Sequence, residues 1–164
     1  MKNNYLSKII FKCLLFKYKL NHNSMGNSPS TPKINFEDIQ YIITNPDTYL
    51  LINTLNETQQ DCLIPNTISI LQEEMLMNKL IKNGNKKINI IIYGANSNDD
   101  KIYKKCQQLT TLGFQNIYLY TGGLFEWLML QDIYGDKEFP TTSKQLDFLK
   151  YKPVKKLNIP LLNY

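Results

Sequence analysis

The sequence contains no arginine, since all 19 of its basic residues are lysines. Arginine is the side chain that usually binds phosphates, carboxylates and base edges through its planar fork. The net charge of +5 is confined to residues 1–24, which hold five lysines and no acid, whereas the remaining residues carry 14 lysines and 14 acids. A nucleic-acid binder should carry its basic surplus on the folded part. We therefore predict no nucleic-acid partner.

Histidine and cysteine are scarce in the chain. There is one histidine, His22, and there are three cysteines, Cys13, Cys62 and Cys106. Their spacing matches no zinc motif, and an odd number of cysteines argues against a disulfide framework. We therefore predict no metal site and no cofactor, together with a reducing, cytoplasmic location.

No apolar run is long enough to cross a bilayer, which takes about 20 residues. The patch Ile9–Phe16 spans eight residues and is interrupted by Lys12. We interpret residues 1–32 as a basic leader followed by a linker rich in Pro, Ser and Gly, without regular structure. A weak targeting segment and a segment that contacts a membrane surface are the alternatives left open.

The linker contains a pattern for N-myristoylation, in which Gly26 follows Met25 and precedes Ser30. This modification requires a free N-terminal glycine, so it depends on synthesis starting at Met25 instead of Met1, or on removal of the leader. A single acyl chain anchors a protein weakly and reversibly. Gly26 is therefore our lipidation candidate, and it would give peripheral membrane contact.

The most informative stretch lies between residues 87 and 101. Its isoleucine-rich first half, which ends at Tyr93, is typical of a strand buried on both faces of a parallel sheet. Gly94 ends this strand, and a helix is predicted to begin at one of the capping residues 98–100. Open α/β folds bind ligands where such a strand end meets a helix N-terminus. We expect any functional site in this loop.

Predicted strands and helices alternate from residue 33 to residue 142. The strands cover residues 34–35, 49–54, 67–70, 88–93 and 116–120, and the helices cover 36–44, 72–82, 99–112 and 124–133. This order predicts a single α/β domain, a five-stranded, mostly parallel sheet with helices on both faces. A short helix at 143–150 and an irregular tail to residue 164 are expected to follow. The helix residues expected to face the core include Met75, Leu80, Tyr103, Cys106 and Leu109.

Four segments resemble the rhodanese-like domain family. Leu51–Asn53 is similar to the Leu-Ile-Asp strand end of that family, and residues 64–68 are similar to its His-Ile-Pro-Gly-Ala-Ile segment. Gly113–Tyr118 resembles its Gly-Phe-x-Asn-Val-Tyr segment, and Gly122–Trp127 resembles its Gly-Gly-x-x-x-Trp signature. The resemblance extends over about residues 33–142 and implies the rhodanese fold. Within it, Trp127 is interpreted as a packing residue and Glu126 as a favourable helix start.

The resemblance also implies where the active loop lies. In the family, a cysteine follows the tyrosine of the fourth strand, and loop N–H groups hold its persulfide or an anionic substrate. Here the loop residues are Gly94, Ala95, Asn96, Ser97, Asn98 and Asp99. The nucleophile's position is therefore a glycine, and two positions that often carry arginine hold Ala95 and Asp99. A carboxylate about 6 Å from an anion costs roughly 3 kcal/mol at an effective dielectric of about 20, before solvent screening.

We therefore hypothesise a catalytically inactive rhodanese-like domain that serves another protein as an interaction or scaffold module. The alternative is a sulfurtransferase that uses a non-standard cysteine, such as Cys62 in a loop near the sheet edge. Cys106 is interpreted as a small core residue. A further alternative is a small-molecule binder that uses the backbone amides of residues 95–98.

Overall fold

A computed structural model describes residues 31–157 of the 164-residue chain. The basic leader, Cys13, His22 and the lipidation candidate Gly26 lie outside the described residues. The elements, in chain order, are β1 (Lys33–Ile34), α1 (Phe36–Ile43), β2 (Tyr49–Asn53), α2 (Ile70–Lys82), β3 (Asn89–Tyr93), α3 (Lys101–Thr111), β4 (Asn116–Tyr120) and α4 (Gly123–Tyr134). Two short 3-10 turns cover Glu57–Gln59 and Phe148–Tyr151. None of the helices between residues 31 and 157 is long and apolar enough to cross a membrane.

The strands form one parallel sheet in the order β1-β4-β3-β2. β3 is an inner strand, in which Ile91 lies opposite Leu51 of β2 and Tyr118 of β4. Because β3 is paired on both sides and covered on both faces, its isoleucine-rich sequence is explained. The predicted α/β class and parallel sheet are confirmed, as is the internal position of the strand that ends at Tyr93.

The number of strands was predicted wrongly, because residues 31–157 contribute four strands to the sheet and not five. The expected strand at residues 67–70 is reduced to a single bridge between Thr67 and Leu51. Asn66, with a φ of 63°, turns the chain just before this bridge. Ser69 already takes the N-cap position of α2, so no residues remain to extend the pairing.

The alternation of side chains along β3 divides the core into two layers. Ile91 and Tyr93 face the layer under α1 and α4, where Trp127 is fully buried. Ile90 and Ile92 face the layer under α2 and α3, which contains Cys106. The predicted packing roles of Trp127 and Cys106 are therefore confirmed.

Two helix residues expected in the core are exposed instead. Met75 is 69% exposed, because α2 turns Met77 and Leu80 to the core and has further apolar side chains on its outer face. Tyr103 is 39% exposed, since it lies one position away from the buried stripe of α3. Successive helix residues differ by about 100° in direction, so one position is enough to leave the core.

Residues 141–151 pack against the core and do not form the helix predicted at 143–150. The Thr142 N–H donates to the Leu63 carbonyl at 2.8 Å, and the Leu63 N–H donates to Thr142 Oγ1 at 2.9 Å. The chain that follows these bonds is irregular, with bends at residues 142, 143 and 146, and only Phe148–Tyr151 coils, as a 3-10 turn. The side chain of Tyr151 is buried. The predicted domain boundaries at residues 32 and 142 stay predictions.

Candidate functional site

The loop of residues 94–99 lies at the carboxyl end of β3 and rests directly on the start of α4. The Leu124 N–H donates to the Gly94 carbonyl, and the Phe125 N–H donates to the Ala95 carbonyl, both at 2.9 Å. Gly123, with a φ of +67°, makes this contact possible, because a Cβ there would lie 2.6 Å from the Gly94 carbonyl oxygen. The Gly-Gly turn is therefore a close backbone contact with the loop.

The carboxylate of Asp99 points back into its own loop. Its Oδ2 accepts a hydrogen bond from the Ala95 N–H at 3.1 Å, and its Oδ1 accepts one from the Lys101 N–H at 3.0 Å. The Thr54 hydroxyl, at the end of β2, lies 3.5 Å from the same Oδ2. Asp99 thus caps the turn that leads into α3, while the exposed Asp100 makes no side-chain capping bond.

The absence of a side chain at Gly94 leaves room for that carboxylate. A Cβ built on Gly94 would lie 2.5 Å from Asp99 Oδ2 and 3.0 Å from a methyl carbon of Ile102. A larger residue at position 94 therefore cannot coexist with Asp99 in its observed position. In this way Asp99 fills the space from which a side chain at the first loop position would project.

Other loop side chains bind the loop's own backbone and the C-terminal segment. Asn96 Oδ1 accepts the Asn98 N–H at 3.0 Å, and the Asn96 carbonyl accepts the Asp99 N–H at 3.0 Å. Asn96 Nδ2 donates to the Tyr151 carbonyl at 2.6 Å. The N–H groups of Ala95 and Asn98 are therefore already bonded inside the loop, which reduces its capacity to hold an external anion.

The two described cysteines are both buried and unoxidised. Cys62 is fully buried, and its Sγ donates to the Ser143 carbonyl at 3.2 Å. Burial raises the pKa of the Cys62 thiol, and the neighbouring hydroxyls and Lys150 offset this only in part. A buried, neutral thiol is a poor nucleophile. Within residues 31–157, no three His, Cys, Asp or Glu side chains come close enough together to hold a metal ion.

Three buried tyrosines, Tyr93, Tyr120 and Tyr151, lie near the site. Burial raises the pKa of Tyr93, whose hydroxyl accepts the Ile64 N–H at 3.3 Å and lies 3.0 Å from Thr67 Oγ1. Burial, and then the nearby Glu126 carboxylate, raise the pKa of Tyr120. The hydroxyls of Tyr120 and Tyr151 have no hydrogen-bond partner among the described residues. Burial likewise raises the pKa of Tyr151, so all three hydroxyls stay protonated near neutral pH.

Sequence reasoning assigned residues 94–99 to one loop, and the structure brings them together there. It missed Thr54 and Tyr151, which reach the loop from β2 and from the C-terminal segment. It also interpreted Gly123 only as part of a tight turn. The one available signal was the combination of a glycine after β3 with an aspartate five residues later.

A family model for the rhodanese-like domain matches residues 38–130, which is more than half of the chain. This chain belongs to the rhodanese-like domain family. The match includes the whole loop of residues 94–99 and the Gly-Gly turn, so the rhodanese-like domain here includes a glycine directly after β3. No curated protein matches the chain significantly.

Solved structures share the fold at low sequence identity. The BH2092 protein of Bacillus halodurans has a TM-score of 0.50 and 20% identity, over 64% of this chain and 74% of that one. The Alr3790 protein of an Anabaena species has a TM-score of 0.50 and 18% identity, over 71% of this chain and 86% of that one. A single-domain sulfurtransferase of Saccharomyces cerevisiae, RDL2, has a TM-score of 0.49 and 16% identity, over 63% and 94% of the two chains.

Proposed function

We propose that this chain is a rhodanese-like domain without sulfurtransferase activity, and that it serves as an interaction module for another protein. The observation that carries the proposal is the carboxylate of Asp99, which lies over Gly94 and binds the Ala95 N–H. An incoming anion would have to displace this internal anion before it could use the loop. The loop offers neither a thiol nor a cation in return.

The alternative, sulfur transfer through Cys62, has two observations against it. The thiol has no exposed surface, and its hydrogen is donated to the Ser143 carbonyl. A sulfur donor could reach Cys62 only if the segment around Ser143 moved away from Leu63, to which it is tied by the bonds of Thr142. The small-molecule alternative is weakened in the same way, because two of the four amides at residues 95–98 are bonded within the loop.

Exposed apolar side chains on α2 support the interaction role. Leu71 and Met75 are 91% and 69% exposed, and they lie four residues apart on the outer face of the helix. Adjacent apolar side chains on an outer helix face are suited to contact with a second protein.

The proposed membrane tether is an acyl group on Gly26. An intact mass of the natively expressed protein tests whether this group is present.

A thiosulfate-to-cyanide sulfur-transfer assay on the purified full-length chain tests the absence of activity. We expect no turnover above the rate without protein, and the same result for Cys62→Ser. Turnover by the unmodified chain that disappears with Cys62→Ser would overturn the proposal in favour of the alternative.

The variant Gly94→Cys tests the role of Asp99 in the same assay. We expect it to stay inactive, because its Cβ collides with Asp99 Oδ2 and the carboxylate repels the thiolate. The double variant Gly94→Cys/Asp99→Ala should recover folding stability relative to the single variant, measured by urea unfolding. Robust turnover by Gly94→Cys alone would refute this role of Asp99.

A further inference from the structure

A groove with a volume of about 550 Å³ lies between α4 and residues 135–148. This volume falls within the range of roughly 300–1,000 Å³ typical of ligand sites. Leu128 and Phe148 give it an apolar floor, and Leu146 stands on the rim with 83% of its side chain exposed. Asp132, in the last turn of α4, and Asp136, just beyond the helix, add two carboxylates.

The walls of the groove are held in place by hydrogen bonds from α4. Trp127 Nε1 donates to the Pro140 carbonyl at 2.8 Å, and Gln131 Nε2 donates to the Phe139 carbonyl at 2.6 Å. The ring of Phe139 packs edge-on against Trp127, with 5.0 Å between the ring centroids. The groove is therefore formed by well-anchored backbone.

The charges that line the groove are unpaired within residues 31–157. Neither Asp132 nor Asp136 forms a hydrogen bond or an ion pair there, whereas the polar groups of Gln131 and Thr141 are used internally. Lys144 is the only basic residue among those that line the groove, so the lining has a net negative charge. An occupant should therefore bring apolar side chains next to cations.

The chain itself contains a segment of this chemistry, in residues 8–19. There the apolar patch Ile9–Phe16 is accompanied by the basic residues Lys8, Lys12, Lys17 and Lys19, and the segment contains no acid. By contrast, lysines and acids balance in residues 25–164. This segment accounts for most of the charge excess of the protein.

The segment can reach the groove in the same molecule. Eleven residues, 20–30, separate Lys19, the last residue of the segment, from Thr31, where the described chain begins, and an extended chain of that length spans about 36 Å. A domain of this size has a radius of gyration of about 14 Å, so a tether of this length can reach a large part of its surface. Tethering raises the local concentration to about the millimolar range, so modest contacts are enough for occupancy.

We propose that leader residues 8–19 bind in cis in the groove between α4 and residues 135–148, with their lysines beside Asp132 and Asp136. Synthesis from Met25 would then produce a form of the protein in which this groove is open. The inference goes beyond the proposed function and does not depend on whether the loop at residues 94–99 transfers sulfur.

Paramagnetic labelling of the full-length chain tests the proposal. Because Cys62 and Cys106 are buried, a nitroxide reagent should react at Cys13, which an intact mass of the labelled protein verifies. We expect the amide NMR signals of Asp132, Asp136 and Leu146 to lose at least half of their intensity relative to the reduced label. Broadening of another surface, or of none, would overturn the proposal.

Two controls distinguish binding in cis at the groove carboxylates from general charge attraction and from binding between two copies. Asp132→Lys/Asp136→Lys should abolish the broadening, whereas Asp47→Lys/Glu74→Lys, which changes the charge equally at exposed sites elsewhere, should retain it. Mixing isotope-labelled chains without nitroxide with nitroxide-labelled chains of natural isotopic composition should cause no broadening. Broadening in that mixture would show that a second copy supplies the segment, and would overturn binding in cis.

A second label position guards against interference by the nitroxide at Cys13. Asn21→Cys in a Cys13→Ser background places the label just outside the proposed segment, and the same groove signals should broaden. Reversing the leader charges with Lys8→Asp/Lys12→Asp should remove the effect, and combining this with Asp132→Lys/Asp136→Lys should restore it. Failure of the combined variant to restore broadening would contradict the proposed pairing.

Discussion

The loop of residues 94–99 and the groove beside α4 both contain aspartates, but the two regions treat them differently. Asp99 in the loop accepts two backbone N–H groups, whereas Asp132 and Asp136 in the groove bind nothing within residues 31–157. Because the Asp99 carboxylate already accepts hydrogen bonds, it occupies the loop. The carboxylates of Asp132 and Asp136 accept none among residues 31–157, so they remain able to bind cations. The loop of residues 94–99 is thus filled by its own carboxylate, whereas the carboxylates of the groove have no acceptor role within residues 31–157.

The two regions also differ in how closely their backbones pack. At Gly123, a Cβ would meet three backbone atoms of the loop within 3 Å, whereas at Gly135, beside the groove, it would meet nothing within 4 Å. An added side chain at Gly123 would have to displace backbone atoms, whereas one at Gly135 would extend into open space. We therefore expect substitutions at the loop to affect folding and substitutions at the groove to affect binding.

The largest effect is expected for Gly123→Ala. The added Cβ collides with backbone at residues 94–96, so we expect a loss of more than about 3 kcal/mol in the free energy of unfolding. Gly84→Ala is the matched control, since Gly84 has a nearly equal φ of +69° and open space around it. Its expected loss is about 1 kcal/mol, measured by urea unfolding. Equal losses in the two variants would show that the contact with the loop is unimportant.

An intermediate effect is expected for Asp99→Ala. The substitution leaves the N–H groups of Ala95 and Lys101 without their acceptor, which should cost about 1–2 kcal/mol in urea unfolding. Asp100→Ala, which removes an adjacent exposed carboxylate without capping bonds, should cost well under 1 kcal/mol. If Asp100→Ala proved the more destabilising of the two, the interpretation that Asp99 stabilises the loop of residues 94–99 would be wrong.

The smallest effect is expected for Asp132→Ala/Asp136→Ala. Because neither carboxylate has a partner among residues 31–157, the free energy of unfolding of a chain that starts at Met25, and so lacks the leader, should change by less than about 0.5 kcal/mol. A loss comparable to that of Asp99→Ala would remove the contrast between the two regions. It would mean that the groove carboxylates take part in the fold after all.

The sequence predicted the parts of the fold that depend on local pattern. The strand at Asn116–Tyr120 was placed correctly, and so was α1 within one residue, because alternation and the cap at Asn35 are local signals. The strand predicted at residues 67–70 was wrong because Thr67 belongs to a turn that leads directly into α2. On α2, Leu80 was correctly placed in the core, but Met75 was not, because the apolar residues of this helix lie on several of its sides.

The loop of residues 94–99 was placed from the sequence, but the position of the Asp99 carboxylate over Gly94 was not. The glycine after β3 and the reversed charge of Asp99 were visible in the order of residues. The position of Asp99 over Gly94 depends on the conformation of the loop. The hydrogen bond from Asn96 to the Tyr151 carbonyl joins residues that are far apart in the chain. Hydrophobic period and capping preferences carry no information about such contacts.

The packing of Tyr151 has a practical consequence for work on isolated fragments. A fragment that ends at residue 130, where the family match ends, would stop inside α4 and remove the acceptors of Trp127 and Asn96. It would also uncover apolar side chains that Phe148 and Tyr151 normally shield. We expect such a fragment to aggregate on expression, and a boundary after residue 152 to give material that behaves well.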